Sequence, residues 1–595
     1  MYDLSISGNY YKNKFFSEKD GEMKRYIKPY IPLIVVEVLL IALSILADLY
    51  LPRLMSHIVD AGVLKGDVPL ILNKGVAMIG LAALSVILMT VAGLMAAKIS
   101  MGFARDLRAG LFSHVLSLDF PSFETFGAPS ILTRATDDIS QLERMAVVAL
   151  RPLVRAPLMF LGAAYMCLTT DVKLSAVILI SAPMLLAVVI AIARASIPCF
   201  RQIRKLMDEI NLHFRERLTG IRVIRAFRKE DYEDRRFDEV NRSMRRTSEQ
   251  VNNYLITMLP AFNLIFNFTM VAVLYFGAGR IHAGTMAVGD LMAFIQYVMQ
   301  ILFGLSMFSM LFAMYPNAKA AYDRIVEVLE TPPAKENATA SLPEGGETSL
   351  VFDHVSFAYP GAERPVLSDI SFEVKAGEKV AIIGGTGSGK STLLKLIHRF
   401  YHVSGGEIRL NGVNIDDLSA KELRGRLGYA PQKAMLLLRS VRENIGLSHD
   451  MPLTDDEADR YLSIAQAQDF VYANHEGVDA TVAQVGKNLS GGQKQRLSIA
   501  RALAKEPEVL LFDDAFSALD FQTDKALRRA LAPMTEKAAT LIVAQRVMTV
   551  LDCDEILVLD DGKIISRGTH EELMKSSTVY REIAASQLGE EVLYA

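Results

Sequence analysis

GGTGSGKST, residues 384–392, is the stretch from which the fold of this chain is read. It follows the apolar run VAII at 380–383 and precedes a segment rich in Leu393, Leu394, Leu396 and Ile397. The order is therefore strand, glycine-rich loop, helix, and Gly384, Gly389, Lys390 and Ser391 stand in the spacing of a phosphate loop. In such a loop backbone N–H groups surround nucleotide phosphates, Lys390 reaches the β and γ oxygens, and the Ser391 hydroxyl holds Mg²⁺. The candidate ATP contacts are Gly384, Gly385, Thr386, Gly387, Ser388, Gly389, Lys390, Ser391 and Thr392.

Working outward, 595 residues suffice for at least two domains. Composition shifts near the middle. Long apolar runs dominate before about residue 330, and a soluble α/β pattern follows about residue 350. The expected division is a membrane domain at 1–330, a linker at 331–348 marked by Pro332, Pro333, Pro343, Gly345 and Gly346, and a nucleotide-binding domain at 349–595. A formal charge of −3 gives no reason to expect a nucleic-acid partner, and three scattered cysteines, Cys167, Cys199 and Cys553, argue against a disulfide framework. The N-terminal thirty residues are polar, so the first span is expected to act as its own insertion signal.

The first half reads as an all-α domain of six spans in a lipid bilayer, near 31–51, 76–97, 146–168, 174–193, 258–279 and 286–315. A short surface helix at about 22–30 precedes them. Segment 194–257 carries fifteen Lys and Arg, whereas the connections near 60–68, 169–173 and 280–285 carry one each. The positive-inside tendency then makes 98–145 and 194–257 cytoplasmic, together with both termini. Helical periodicity continues through Phe103, Leu107, Leu111 and Val115, and through Ile203, Ile210 and Leu218. The spans are thus expected to extend far into the cytoplasm and to turn at 120–127 and 220–229, where short helices dock on the nucleotide domain. Glu37 and Asp48 lie eleven residues apart within one apolar span, close to three helical turns, on one face. They either line a cation-accepting cavity or bond a neighbouring helix.

Beyond the linker come the strand-like VFDHVSFAYP and Tyr359, a candidate to stack on adenine. After the phosphate loop follow Gln432, LSGGQ at 489–493 with Ser490, Gly491, Gly492 and Gln493, the buried-strand pattern VLLFD ending at Asp513, SALD at 517–520, and Gln545. Asp513, with Ser391 and Gln432, is the candidate Mg²⁺ shell. In this order and spacing the chain resembles the ATP-binding cassette exporters with six spans fused to one cassette, over nearly its whole length to about residue 587. The resemblance implies that two cassettes sandwich two ATP molecules, each between the phosphate loop of one and LSGGQ of the other, and that the chain is half of a machine.

That family usually has a glutamate base after the magnesium aspartate and a histidine near the γ-phosphate, where this chain has Asp514 and Gln545. Aspartate is one methylene shorter, and misplacement by about 1 Å costs on the order of a hundredfold in rate. Glutamine does not ionise as imidazole does. Gln484 and Val485 also replace an acid and an arginine before LSGGQ. The resemblance then implies the degenerate-site subunit of a heterodimeric exporter: it hydrolyses ATP slowly at its own site and lends an intact LSGGQ to a partner half-transporter. A homodimer with two slow sites, and an ATP-binding regulatory module, are the rival readings. Cargo is expected to be a small hydrophobic compound, with multidrug export favoured by the resemblance and lipids or unprocessed peptides remaining open.

Overall fold

The computed structural model describes Gly21 and residues 23–335, 339–343, 345 and 347–588. Glu22 of the expected surface helix and Gly346 of the expected linker lie outside them. The chain forms two compact units: one takes the residues up to Leu116 with Gly127–Pro332, and the other joins Ser117–Phe126 to the chain from Pro333 onward.

The helices of the first half include α1 (Ile31–His57), α2 (Val68–Ser117), α3 (Phe120–Phe126), α4 (Ile139–Thr170), α5 (Val172–Ala226), α6 (Glu230–His282) and α7 (Val288–Leu329), with a short helix Ala128–Thr133 between α3 and α4. Among the described residues five helices are long and apolar enough to cross a membrane, and α7 contributes the apolar segment Val288–Gly304. At 1.5 Å per residue the 50 residues of α2 reach about 75 Å, well over twice the roughly 30 Å of a hydrocarbon core. The expected extensions are therefore real helix. One expectation fails: no separate short helix forms at 220–229, because α5 runs unbroken through Gly220 to Ala226. A mid-helix glycine costs about 1 kcal/mol but does not by itself end a helix. The turn that does end it carries Arg228 at φ +49°.

Specific polar and steric fits join these helices. A π-helical turn at Arg134–Asp138 presents two buried charged residues to α7. Asp138 accepts from Arg324 at 2.5 and 2.8 Å, and Arg134 donates to the Arg324 carbonyl at 2.6 Å. At the chain's entry, residues 23–27 are helical and a 3-10 turn, Lys28–Tyr30, leads into α1. Here α2 offers Gly102, Asp106 and Gly110 on one stripe at a spacing of four. Tyr30 donates to Asp106 at 2.7 Å. A Cβ at Gly110 would sit 2.1 Å from the Tyr26 hydroxyl, and one at Gly102 2.5 Å from that of Tyr30. The surface segment is keyed to α2 by two tyrosines in two glycine slots.

The second unit holds two sheets. One, in the order β2 (Leu367–Lys375), β1 (Ser349–Phe357), β4 (Gly405–Leu410), β5 (Val413–Asn414), is antiparallel. The other runs β10 (Lys563–Gly568), β9 (Glu555–Asp560), β3 (Lys379–Ile383), β8 (Ala539–Ala544), β7 (Val509–Asp513), β6 (Leu427–Ala430). All of its pairings are parallel except that of β10 with β9. Every residue of β7 and β8 is buried, as befits parallel strands covered on both faces. The helices around that sheet include α8 (Lys390–Ile397), α9 (Gly491–Ala504) and α10 (Phe521–Thr535). The short α3 belongs to this unit: Phe120 stacks on Phe400 at 5.0 Å and meets the Tyr401 edge at 5.8 Å, while Glu124 accepts from the Tyr401 hydroxyl.

If the tyrosine slots hold the entry segment, Gly110→Ala will destabilise the purified protein by about 1–3 kcal/mol, the usual penalty of overpacking. Thermal unfolding in detergent measures this, and combining it with Tyr26→Ala should cost less than the sum of the two.

Candidate functional site

Parallel pairing brings the ends of β3, β6, β7 and β8 to one edge of the sheet, where open α/β folds bind ligands. Ile383 pairs with Ala544, and Asp513 with Val543, so the phosphate loop, Asp513, Asp514 and Gln545 all leave from neighbouring strand ends. Two glycines of the loop are sterically required. A Cβ at Gly384 would lie 2.1 Å from the Leu559 carbonyl oxygen, and Gly389, at φ +103°, would press one to 2.7 Å from Leu367. Lys390 begins α8 and donates to the carbonyls of Gly384 and Gly385 at 2.8 and 2.6 Å. Burial holds its ammonium below the usual lysine range, partly offset by Asp514 and Asp513.

The Ser391 hydroxyl donates to Asp513 at 3.0 Å. Burial pushes the Asp513 carboxyl above the ordinary range, against the bond from Ser391. A buried carboxylate, a hydroxyl and the nearby Gln432 amide are hard oxygen donors that suit a small divalent cation. Gln432 donates to Asp514 at 3.4 Å. Asp514 is itself buried, with a left-handed φ of +47° and its N–H bonded to Val543 at 2.8 Å. Aspartate is among the residues that tolerate this backbone region best. Gln545 is exposed, and its carbonyl accepts from Gln587 at 2.8 Å.

Tyr359 is half-buried. Its ring meets those of Phe357 and Tyr401 edge-on at 4.9 and 5.0 Å, and its hydroxyl lies 3.0 Å from that of Thr392. The packing reading and the proximity to the phosphate loop thus both hold for this residue. Since Tyr401 also bonds Glu124 of α3, one aromatic stack runs from α3 to α8.

Ser490 caps α9 in a capping box: its hydroxyl accepts from the Gln493 N–H at 3.3 Å, and Gln493 accepts from the Ser490 N–H at 2.8 Å. Gly491, exposed, opens the helix N-terminus. Sequence reasoning missed Gln495, which is buried, donates to the Gln432 carbonyl at 3.3 Å and accepts from the Ala518 N–H at 3.2 Å. It thereby joins the segments of Gln432, LSGGQ and SALD. Its only sequence signal is an amide flanked by an apolar helix face. Val485, just before LSGGQ, is a β-branched residue at φ +58°, a strained position that stays exposed.

In the membrane unit a cavity of about 860 Å³ is lined by Asp48, Arg155, Asn263, Gln296, Gln300 and a wall including Met159, Met258, Phe262, Phe266 and Met299. There Asp48 pairs with Arg155 at 2.8 Å and accepts from Ser85 at 2.5 Å. Asp48 thus makes the bond to a neighbouring helix and lines the cavity as well. Glu37 is fully buried and is not among the residues lining that cavity, and among the described residues its two carboxylate oxygens have no hydrogen-bond partner.

Residues 34–306 match the family described as ABC transporter transmembrane region, and residues 367–517 match the one described as ABC transporter. The chain is 38% identical over 569 residues to an uncharacterized ABC transporter ATP-binding protein of Mycobacterium tuberculosis, covering 95% of this chain and 97% of that one. It is 37% identical to the uncharacterized ABC transporter ATP-binding protein YfiB of Bacillus subtilis, over 95% and 98% of the two chains. The ATP-dependent lipid A-core flippase of Vibrio vulnificus is 27% identical, over 95% and 97%. Among solved structures, a bacterial Atm1-family ABC exporter with ATP bound superposes with a TM-score of 0.78 at 25% identity, covering 94% of this chain and 98% of that one. With the spanning helices and the phosphate-loop geometry, these matches establish that the chain belongs to the ABC transporter family, as a multi-pass membrane exporter chain whose ATP-hydrolysing cassette is fused to its transmembrane region.

Proposed function

We propose that this chain is the slow-site subunit of a heterodimeric exporter of small hydrophobic compounds, with both termini cytoplasmic. The observation that carries the reading is the combination of intact binding groups, Lys390, Ser391, Asp513 and Gln432, with Asp514 and Gln545 at the two positions that handle the attacking water. The phosphate loop and Lys390 hold the phosphates. Ser391, Gln432 and Asp513 would hold Mg²⁺, which would supply neutralisation of phosphate charge. Asp514, tied down at the strand end and a methylene short, positions water poorly, and the exposed Gln545 offers an amide in place of an imidazole.

ATP drives closure because it contacts both cassettes only in the closed pair, which supplies the differential affinity that a population shift needs. Ser490, Gly491, Gly492 and Gln493 present a helix N-terminus to the nucleotide held by the partner, a place where N–H groups and the helix dipole favour an anion. The apolar, amide-bearing cavity, in which the Asp48 charge is already matched by Arg155, supports a neutral hydrophobic cargo over a cation. A lipid cargo carried by a homodimer is the second reading, favoured by the similarity to the Vibrio vulnificus lipid A-core flippase.

Lys390→Ala should weaken ATP binding by about tenfold to a hundredfold, the value of hydrogen bonds to charged groups, as read by nucleotide titration of the full chain. With the co-purified partner, Asp514→Ala should leave most ATPase turnover in place, whereas removing the partner's own base should abolish it. Equal losses from both changes would defeat the division of labour. Asp48→Asn should lower thermal stability without changing the binding of cationic compounds relative to neutral ones, measured by fluorescence titration.

A further inference from the structure

The cassette holds a second pocket, of about 290 Å³, unconnected with the phosphate loop. Lys379, Lys525, Arg528 and Arg529 line it against one acid, Asp552. Lys379 opens β3 and the other three lie on α10, so two elements converge their cations on one space. Arg528 is ion-paired to Asp524 at 3.0 Å and lies over the Phe516 ring at 5.0 Å. Among the described residues the side chains of Lys379, Lys525 and Arg529 form no ion pair, and the Lys379 backbone N–H donates to Asp554 at 2.8 Å. Like charges gathered around a cavity raise its potential and concentrate anions there.

The pocket's position separates it from the ATP site and also connects it. Lys379 stands at the N-terminal end of β3, four residues and about 13 Å from the strand end that carries the phosphate loop. Phe512 and Phe516 form part of the pocket's wall, and side chains alternate along a strand, so Phe512 faces away from its neighbour Asp513. The pocket therefore backs onto the strand that presents Asp513 and Asp514. Its volume sits at the lower end of the range for ligand sites, which suits a compact molecule. We infer that this pocket is an anion site that takes a small soluble di- or polyphosphate compound and that its occupancy alters nucleotide binding on the opposite face of β7.

The test uses full-length protein in phosphatidylcholine nanodiscs and pyrophosphate as probe. With the phosphate loop saturated by ATP, calorimetric titration should show saturable pyrophosphate binding that weakens by about tenfold or more in Lys525→Gln/Arg529→Gln, two exposed positions whose change leaves the core intact. TNP-ATP affinity, measured without magnesium, should respond to pyrophosphate differently in wild type and variant by about fivefold or more, while the two bind TNP-ATP alone equally. Absence of saturable binding, binding unchanged in the variant, or identical TNP-ATP responses would each overturn the proposal. Displacement of pyrophosphate by phosphatidylglycerol added to the nanodiscs would overturn the assignment to a soluble anion.

Discussion

The candidate site is organised by the hydrogen bond of 3.0 Å that joins Ser391, in the first turn of α8, to Asp513 at the end of β7. It links the phosphate-loop segment to the strand at whose end two consecutive carboxylates stand, Asp513 and Asp514. That link can be held only because β3, β8 and β7 are neighbours in one parallel sheet with every residue of β7 and β8 buried. A one-residue slip would move every side chain of a strand to the opposite face and lose the close packing against both covering layers. The apolar runs that read as buried strands are thus what hold the polar groups in register.

The parts legible in the sequence are those in which chemistry is local. Gly384 and Gly389 are required by backbone approach and left-handed φ, which is why glycine spacing announced the loop. Long apolar helices were equally plain, since a bilayer demands length and composition together. What stayed hidden depends on partners distant in sequence. Arg155 lies 107 residues beyond Asp48, and nothing in the span containing Asp48 says that its charge is already matched. Gln495 joins segments 63 residues upstream and 23 downstream. Gly220 misled for the opposite reason: its signal is local, but the flanking helical pattern outweighed it.

The aromatic stack of Phe120, Tyr401 and Tyr359 gives α3 a direct line to the phosphate-loop helix. Phe120 and Glu124 touch Tyr401, Tyr401 meets Tyr359, and the Tyr359 hydroxyl lies beside that of Thr392 on α8. Aromatic contacts of this kind are worth about 0.5–1.5 kcal/mol each beyond their burial, enough to bias a small movement without locking it. The adenine-facing candidate and the short docking helix are consequently parts of one packed cluster.

Gln587, in the last helix of the described chain, clips the segment after β8 twice: its amide donates to the Gln545 carbonyl and accepts from the Val547 N–H, both at 2.8 Å. This helix thereby braces the segment that follows β8. The same helix buries Tyr580 and Ala584 in the cassette core, so the contact that reaches Gln545 and the packing that holds the helix come from one element.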